Sequence, residues 1–388
     1  MHLFINSLAA SAGGGLTYIR NVIPRMAATP GLRVTVALTP GLREEFRAFA
    51  DLDFVELEVP ASRRFWHEQF LLPRLIRQCR AEVLLSAGNF ALRNSPVPQI
   101  VLSRNSLYTS SDFYRDLLSR GEYRTWLDNH LRGLVARRSI AWADITVAPS
   151  EAFSADLRRW TGSSRIRTVH HGFDREAFTR DTSPLAADVE QNLKAAEGGP
   201  RLLFVSHYNY YRNFETLIRA LPVLRNRLPG RAVKLLLTCK LAGGENPGAY
   251  RPEATAKLVR DVGVSDMVIE LGAIPYRQLH QLYGRADLYL TPAYTETFAH
   301  PLVEAMSSGL PVVASDLPVH REICGDAALY FPSFSAEQLA NRVVEVATSV
   351  NLAARLSDAG LGRAAGFSWR RHVDELLLLA RSLVAAGA

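Results

Sequence analysis

The chain has few cysteines and no long apolar stretch, and each scarcity excludes a class of protein. Its three cysteines, Cys79, Cys239 and Cys324, are odd in number and lie far apart. They therefore predict neither a disulfide framework nor a metal site, and they suit a reducing cytosol. No run of about 18 or more apolar residues occurs, which excludes a helix that spans a membrane. We expect a cytoplasmic protein.

The first residues are apolar but lack the basic leader of a signal peptide. They run directly into Gly13-Gly14-Gly15, an order that is typical of a first strand and its turn. Glycines at Gly14 and Gly15 permit a tight turn and a close backbone approach by a ligand. The motif is not G-x-G-x-x-G, and no acidic residue ends the second predicted strand, so a dinucleotide fingerprint is not indicated. A plain turn and a ligand loop both stay open.

The charge of the chain is basic, with a formal net charge of +7 and a pI of about 9.4. An arginine-rich solvated surface explains this, and so does attraction to an anionic membrane surface or an anionic substrate. Nucleic acid is the partner that the sequence favours least. The chain has no zinc-finger spacing and no strand motif that combines aromatic and basic residues.

Short apolar runs alternate with helical patterns in two series, which indicates two domains in a chain of 388 residues. Strands that are apolar throughout are typical of parallel sheets covered on both faces, so we expect two doubly wound α/β domains. The predicted strands are Leu3–Ser7, Val34–Thr39, Val83–Ser86, Gln99–Ser103, Ile145–Pro149 and Ile166–His170, then Leu202–Ser206, Val233–Thr238, Val268–Gly272, Leu288–Pro292, Pro311–Ser315 and Ala328–Phe331.

A linker is predicted near residues 180–200, where Asp181-Thr-Ser-Pro184 and Gly198-Gly199-Pro200 flank a short polar helix. The expected domains are residues 1–185 and 200–366, and residues 367–388 form an amphipathic helix that packs back on the first domain. Ligands of doubly wound sheets bind at the carboxyl ends of the strands, so a cleft facing both domains is the expected site.

The stretch Glu296-Thr-Phe-Ala-His-Pro-Leu-Val-Glu304 carries the strongest functional signal. Pro301 is typical of the first residue of a helix, which predicts that the N–H groups of Leu302 and Val303 are unpaired. A helix start of this kind suits a diphosphate. Glu304 can accept hydrogen bonds from two ribose hydroxyls, and Glu296 can reach a sugar on the other side of the diphosphate. The spacing alone favours a capped helix with two solvated acids, whereas Pro301, Gly309 and the flanking strands favour the site.

Five further polar residues stand at or just after the ends of predicted strands. Arg212 has a donor fork that matches phosphate, and His207 can supply a second donor to the same diphosphate. His300, just before Pro301, can contact a phosphate or a sugar hydroxyl, or can have a structural role in its loop. His170 and His171 face opposite ways on a strand, so a hinge turn is favoured over a metal site.

These segments together resemble a known family. Thr295-Glu-Thr-Phe-Ala-His-Pro-Leu-Val-Glu-Ala-Met306 resembles the E-G-F-G-L-P-x-L-E-A-M motif of retaining glycosyltransferases of family four. Gly309-Leu-Pro-Val-Val-Ala-Ser-Asp316, Glu322–Phe331 and His171-Gly-Phe-Asp174 resemble the segments around it, and Gly13–Gly15 resembles the Gly loop of the first domain. The resemblance implies the GT-B fold, with two Rossmann-like domains, and it covers most of the chain.

The resemblance also implies a donor and a set of site residues. The donor is a nucleotide-diphosphate sugar, linked to GDP, UDP or dTDP, with no obligatory metal or other cofactor. The implied catalytic residues are Arg212, His207 and Glu296. The implied donor-binding residues are Glu304, Phe298, Ala299, His300, Pro301, Leu302, Gly14, Gly15 and Ile274, and the backbone of Ala273–Tyr276 faces the base.

The chain departs from the family pattern at three places. His207 and Arg212 replace the usual Arg and Lys, and Thr297 and Ala299 replace the two glycines of E-G-F-G. The first-domain His near the acceptor is missing, and Asn89, Arg104 or Asn105 face the acceptor instead. We expect transfer of a hexose to a glycan or lipid-linked glycan in bacterial surface polysaccharide synthesis, with a possible peripheral contact to the inner membrane face. A non-catalytic partner subunit and a nucleotide-sugar epimerase are the alternatives.

Overall fold

The structure is a computed structural model that describes residues 1–10, 13–49, 52–60, 63–246 and 250–387. Over these residues the strands are β1 His2–Asn6, β2 Arg33–Leu38, β3 Leu52–Glu56, β4 Val83–Ser86, β5 Gln99–Leu102, β6 Ile145–Ala148, β7 Ile166–Thr168, β8 Arg201–Phe204, β9 Lys234–Leu237, β10 Val268–Glu270, β11 Leu288–Thr291, β12 Val312–Ser315 and β13 Ala328–Phe331.

The helices alternate with these strands. They are α1 Gly13–Ala27, α2 Pro40–Arg43, α3 Arg64–Cys79, α4 Ser111–Ser119, α5 Tyr123–Trp142, α6 Glu151–Thr161, α7 Arg175–Thr179, α8 Ala187–Ala195, α9 Phe214–Arg227, α10 Glu253–Asp261, α11 Leu279–Tyr283, α12 His300–Ser307, α13 Pro318–Cys324, α14 Ala336–Thr348, α15 Val350–Ala364 and α16 Trp369–Gly387. No helix in the described part of the chain is long and apolar enough to cross a membrane.

The chain forms two compact units. Unit 1 comprises residues 1–110, 121–172 and 368–388, and unit 2 comprises residues 111–120 and 173–367. Each unit contains one parallel sheet, in the order β3-β2-β1-β4-β5-β6-β7 in unit 1 and β10-β9-β8-β11-β12-β13 in unit 2. The predicted fold class is thereby confirmed. That residues 1–185 bind the acceptor, that residues 200–366 bind the nucleotide sugar and that the C-terminal helix comprises residues 367–388 stay predictions.

The central strands of unit 1 are buried on both faces, as their unbroken apolar runs predict. In β1, Leu3 and Ile5 belong to the core on one face, whereas Phe4 belongs to the core that α3 covers on the other face. β3 was not predicted from the sequence. It mixes apolar Leu52, Phe54 and Val55 with charged Asp53 and Glu56, as suits a part-exposed edge strand, and so it contains no continuous apolar run.

Helix α16 packs against α1 in unit 1, as expected for the C-terminal helix. Trp369, Val373 and Leu376 are buried in the core that includes β1 and α1. The predicted turn after β7 contacts the start of this helix. A Cβ atom on Gly172 would lie 2.0 Å from the backbone nitrogen of Trp369, so only glycine fits there. His170 is exposed and His171 buried, which agrees with the opposite orientations expected on a strand.

Unit 2 places the segments of interest at one edge of its sheet. The chain leaves β8 toward β9 on one side and later returns to β11 on the other side. This reversal of strand order is a topological switch point, and the carboxyl ends of the flanking strands leave a crevice there. The loop after β8 carries Arg212 and the loop after β11 carries Glu296, so both belong to this edge.

Candidate functional site

Three contacts join the loops that follow β8 and β11. The side-chain amide of Asn213 donates to the carbonyl of Pro292 at 3.0 Å, and the backbone N–H of Tyr294 donates to the carbonyl of Tyr211 at 3.1 Å. The guanidinium of Arg212 donates to the carboxylate of Glu296. Residues that are 84 positions apart in the sequence thus form one polar cluster.

Arg212 is held in a mostly buried position. Its guanidinium lies over the ring of Tyr211, at 5.1 Å from the centroid. Burial disfavours the charge, but the neighbouring Glu296 carboxylate outweighs it, so the pKa of Arg212 stays above its ordinary value. The Nε–H group is buried and has no hydrogen-bond partner among the described residues. A permanently charged donor fork with an unsatisfied N–H group is suited to an anion.

Two histidines lie near this pair and neither is a cation at neutral pH. His207 is largely exposed, and partial desolvation together with the charge of Arg212 lowers its pKa. His320 is fully buried after β12, and burial is the main cause that lowers its pKa. Its Nδ1–H donates to the carbonyl of Ser315 at 2.9 Å, so Nε2 is the unprotonated nitrogen. A ring N–H group of His207 can therefore serve as a second donor beside Arg212.

Helix α12 begins at His300, so Pro301 occupies its second position rather than its first. Ala299 precedes the helix in the left-handed region, with φ of 63°. The N–H of Leu302 donates to the carbonyl of Ala299 at 3.0 Å. The prediction that this amide is unpaired is therefore wrong, because the first turn is tightened by an i to i−3 bond. Phe298 is buried, and its ring centroid lies 4.9 Å from that of His300.

Glu304 lies one turn inside α12 and is only 3% exposed. One carboxylate oxygen accepts a hydrogen bond of 2.8 Å from the hydroxyl of Tyr283 in α11. Burial raises the pKa of Glu304 to about 7, although the bond from Tyr283 opposes the change. The acid is thus half-protonated near neutral pH, and any hydroxyl that donates to it would favour the ionised form.

The loop after β10 contains Ile274, which is half-buried beside the exposed Ala273. Tyr276 in this loop is close enough to Glu304 for the carboxylate to raise the pKa of the phenol, after the larger effect of burial. Lys240, after β9, donates to the carbonyl of Glu270 at 2.6 Å and ties the neighbouring strand ends together.

The expected residues of the first half lie in unit 1, also at the carboxyl ends of strands. The backbone N–H of Arg104 donates to the side chain of Asn89 at 2.7 Å, and its guanidinium donates to the carbonyls of Ala87 and Gly14. Asn105 caps the following turn by accepting from Leu107 at 3.1 Å. The structure therefore brings Gly14, Asn89 and Arg104 together. A Cβ atom on Gly15 would lie 3.1 Å from Cα of Ala10, so a larger residue at this position would crowd the backbone of Ala10.

Burial is the main cause that lowers the pKa of Arg104, whose guanidinium stacks on the ring of Tyr18 at 4.7 Å. Within the described ranges it has no carboxylate partner. The described residues contain no group of three or more His, Cys, Asp or Glu side chains arranged to hold a metal ion. All three cysteines are free thiols.

Sequence reasoning overlooked Asn213, Tyr283 and His320. Asn213 has φ of 56°, a conformation that asparagine tolerates better than most residues, and its position after an Arg in a turn is the only local signal. Tyr283 and His320 carry no such signal, because their importance depends on Glu304 and on Ser315 being close in the fold.

The fold and the polar cluster of unit 2 define a two-domain α/β protein of the GT-B type. Residues 187–363 match the model of the family described as glycosyl transferases group 1, and residues 12–177 match the model described as glycosyltransferase family 4. The chain belongs to family 4 of the glycosyltransferases.

Similar proteins of known name support the assignment. D-inositol 3-phosphate glycosyltransferase of Nocardia farcinica is 30% identical over 250 residues, which are 63% of this chain and 54% of the relative. The protein of the same name from Saccharomonospora viridis is 32% identical over 259 residues, 64% of this chain and 57% of the relative. The chain thus spans about half the length of the curated relatives that it matches.

Solved structures support the fold. Sucrose-phosphate synthase from Thermosynechococcus elongatus has a TM-score of 0.75 at 20% identity, with 100% of both chains covered. The Anabaena protein HepE in complex with UDP-glucose has a TM-score of 0.72 at 16% identity, and the match covers 99% of this chain and 100% of that chain.

Proposed function

We propose that this protein transfers a hexose, with retention of anomeric configuration, from a nucleotide-diphosphate sugar to a hydroxyl group of a glycan or lipid-linked glycan. The donor binds in unit 2 at the carboxyl ends of the strands. Arg212, His207 and Glu296 act on the diphosphate and the sugar, and Glu304 holds the ribose. The enzyme works in the cytoplasm on surface polysaccharide precursors.

The pairing of Arg212 with Glu296 beside the start of α12 carries this proposal. The pair lies at the switch point of the sheet, where doubly wound domains bind their ligands. Glu304 projects from the same helix one turn further on, in a buried position that excludes water from its carboxylate. A diphosphate beside Arg212 would place a ribose toward Glu304 and a sugar toward Glu296. The solved complex of the Anabaena protein with UDP-glucose lends further support to a donor of this class.

The chemistry follows from the charges. When the bond between the anomeric carbon and the diphosphate oxygen breaks, the sugar becomes oxocarbenium-like and the diphosphate gains negative charge. Arg212 and a neutral N–H of His207 stabilise that charge in a mostly buried setting, where such contacts are strongest. The acceptor oxygen then bonds to the same face of the anomeric carbon, and its proton passes to the departing phosphate. No carboxylate has to form a covalent intermediate, and no metal has to neutralise the diphosphate.

A phosphorylated sugar or polyol is a second candidate acceptor. The curated relatives are named for D-inositol 3-phosphate. In unit 1, Arg104 is a buried guanidinium whose described partners are two carbonyls and the ring of Tyr18. A cation without a carboxylate partner is suited to a phosphate group. Turnover with phosphorylated and unphosphorylated acceptors distinguishes the two candidates.

Replacement of Arg212 tests the proposal. Arg212→Ala should lower kcat by about a hundredfold or more, because it removes the main charge that stabilises the leaving diphosphate. Arg219→Ala is the matched control, since Arg219 is exposed on α9 in the same unit. Initial rates with a panel of GDP-, UDP- and dTDP-sugars give the comparison. Equal rates for the two variants would refute the role of Arg212.

Calorimetry with nucleoside diphosphates separates the proposed enzyme from the alternatives. A non-catalytic partner subunit would bind nucleotide but hydrolyse no donor, even slowly. An epimerase would change the sugar of the donor without an acceptor. Slow release of free sugar and nucleoside diphosphate without acceptor, with faster release when acceptor is present, is the result that a transferase gives.

A further inference from the structure

Helix α4 belongs to unit 2, although the chain on both sides of it belongs to unit 1. Residues 111–120 cluster with residues 173–367, whereas residues 1–110 and 121–172 form the other unit. The sequence gives no sign of this assignment, because α4 lies between β5 and α5, which both belong to unit 1. Unit 2 therefore contains one helix that its own stretch of sequence does not supply.

Two charged residues anchor α4 in unit 2. Arg120 donates to Asp116 at 2.7 Å and to Glu215 at 2.8 Å, and all three side chains are mostly buried. Glu215 in turn accepts from Thr255 at 3.1 Å. Another pair on the same helix, Asp112 with Arg115, is much more exposed, with Arg115 at 75%. Buried and hydrogen-bonded charges fix geometry far more strongly than exposed pairs do.

The buried network contacts both loops of the candidate site. The guanidinium of Arg120 lies over the ring of Tyr210, at 4.3 Å from the centroid. Tyr210 begins the short turn that ends in Arg212. On the other side, the hydroxyl of Tyr294 donates to the second carboxylate oxygen of Asp116 at 2.7 Å. Tyr294 is two residues before Glu296 and only 4% exposed.

The ring of Phe113 completes the contact, since its centroid lies 6.3 Å from that of Tyr211. Helix α4 and Arg120, the residue directly after it, thus contact Tyr210 and Tyr211 in one loop and Tyr294 in the other. The backbone N–H of Tyr294 in turn donates to the carbonyl of Tyr211. The two residues of the site, Arg212 and Glu296, lie at the ends of the segments that α4 holds.

We propose that α4 is a positioning element for the donor site, in which Asp116 and Arg120 hold the Arg212–Glu296 pair in place through Tyr294 and Tyr210. The inference rests on the proposed function, since it assigns Arg212 to the diphosphate. Asp116 and Arg120 touch neither donor nor acceptor. Their effect passes through the two loops, and it concerns the distal phosphate and the sugar rather than the ribose held by Glu304.

The ratio of nucleoside diphosphate affinity to nucleoside monophosphate affinity measures this effect. The monophosphate lacks the distal phosphate, so its binding depends little on Arg212. Tyr294→Phe removes only the hydroxyl that contacts Asp116, and Asp116→Asn removes the charge. In calorimetry, each should lower the ratio by about tenfold, the size of a coupling between neighbouring groups. kcat should fall by about tenfold or more because the pair is misplaced. Asp112→Asn, on the same helix, should leave both quantities unchanged.

A loss of stability alone would not change this ratio, which keeps the test specific to positioning. The double variant Tyr294→Phe/Arg212→Ala adds a second arm. If the Tyr294 hydroxyl acts through Arg212, the double variant should lower the ratio no further than Arg212→Ala does alone. An additive effect in the double variant would overturn the inference, and so would an unchanged ratio in folded Tyr294→Phe.

The outcomes also separate the inference from the proposed function. Wild-type protein that binds no nucleoside diphosphate would refute both. Normal binding and turnover in the wild type, with Tyr294→Phe and Asp116→Asn indistinguishable from Asp112→Asn, would refute the positioning role and leave the glycosyltransferase proposal intact.

Discussion

Glu304 is a buried acid whose proposed role in binding the ribose comes at the expense of stability. Its side chain is nearly inaccessible, and its described hydrogen-bond partner is the neutral hydroxyl of Tyr283. Among the described residues no cation compensates for the lost hydration, so burial raises its pKa to about 7. In the free protein the ionised form of Glu304 is therefore disfavoured, and hydroxyl groups that donate hydrogen bonds to it would favour that form.

The pH dependence of stability follows from this shift. Between about 4.5 and about 7 the folded protein keeps a proton on Glu304 that the unfolded chain has released. The free energy of unfolding therefore falls as the pH rises through this window, and the loss remains above it. Glu304→Gln removes the titration. The variant should be more stable than the wild type at pH 8, and this difference should shrink toward pH 4.5.

Chemical denaturation at several pH values measures the effect, with the exposed Glu197→Gln as control. The same Glu304→Gln variant should bind nucleoside diphosphates more weakly at pH 8, because an amide offers one acceptor oxygen instead of two. If Glu304→Gln were less stable than the wild type at every pH, burial would not disfavour the ionised carboxylate of Glu304.

At the scale of elements, the start of α12 is strained by one side chain. Ala299 adopts a left-handed conformation, and it stands at the second glycine of the E-G-F-G motif that this segment resembles. For an L-residue with a Cβ atom this conformation costs roughly 1–2 kcal/mol. The cost persists because Phe298 on one side and the helix on the other are both buried.

Ala299→Gly should therefore raise the free energy of unfolding by about 1 kcal/mol, since glycine adopts this conformation without steric cost. Ala305→Gly, in the interior of the same helix, should lower it by about 1 kcal/mol or more. Urea denaturation of the two variants gives opposite signs if the local backbone is as described. A destabilised Ala299→Gly would mean that Ala299 contributes packing that exceeds its strain.

At the scale of the whole molecule, the last helix completes the core of the first unit. Trp369, Val373 and Leu376 of α16 belong to the same buried cluster as Leu3 and Tyr18 near the other end of the chain. The fold of unit 1 thus depends on residues that the chain supplies only at its end.

Two leucines on α16 test this dependence. Leu376 is 1% exposed and Leu378 is 67% exposed. Leu376→Ala should lower the free energy of unfolding by about 2–5 kcal/mol, because it deletes buried methyl groups and leaves a cavity. Leu378→Ala should change it by no more than about 0.5 kcal/mol. Thermal and urea unfolding of both variants measure the difference, and equal losses would contradict the packing of α16.

Most of the strands were predictable from the sequence because parallel strands buried on both faces are apolar throughout. Each of the twelve predicted runs coincides with a strand in the described part of the chain, with ends that agree within two residues. The exception is β3, an edge strand in which charged residues interrupt the apolar ones.

The site was predictable only in part. The types of residue at strand ends indicated Arg212, Glu296 and Glu304. The pairing of Arg212 with Glu296 depends on β8 and β11 lying side by side, which no local pattern encodes. The amide of Leu302 was predicted to be unpaired because Pro301 suggested a regular first turn, whereas the left-handed Ala299 allows a tighter bond.

The sequence by itself determined which segments are strands and which polar residues follow them, since burial and backbone geometry act on neighbouring residues. Only the tertiary structure decided that residues 111–120 pack in the second unit, that Tyr283 meets Glu304, and that Tyr294 meets Asp116. Each of these contacts joins residues that are distant in the chain. Their proximity depends on the order of strands in a sheet and on the packing of helices, which local sequence does not specify.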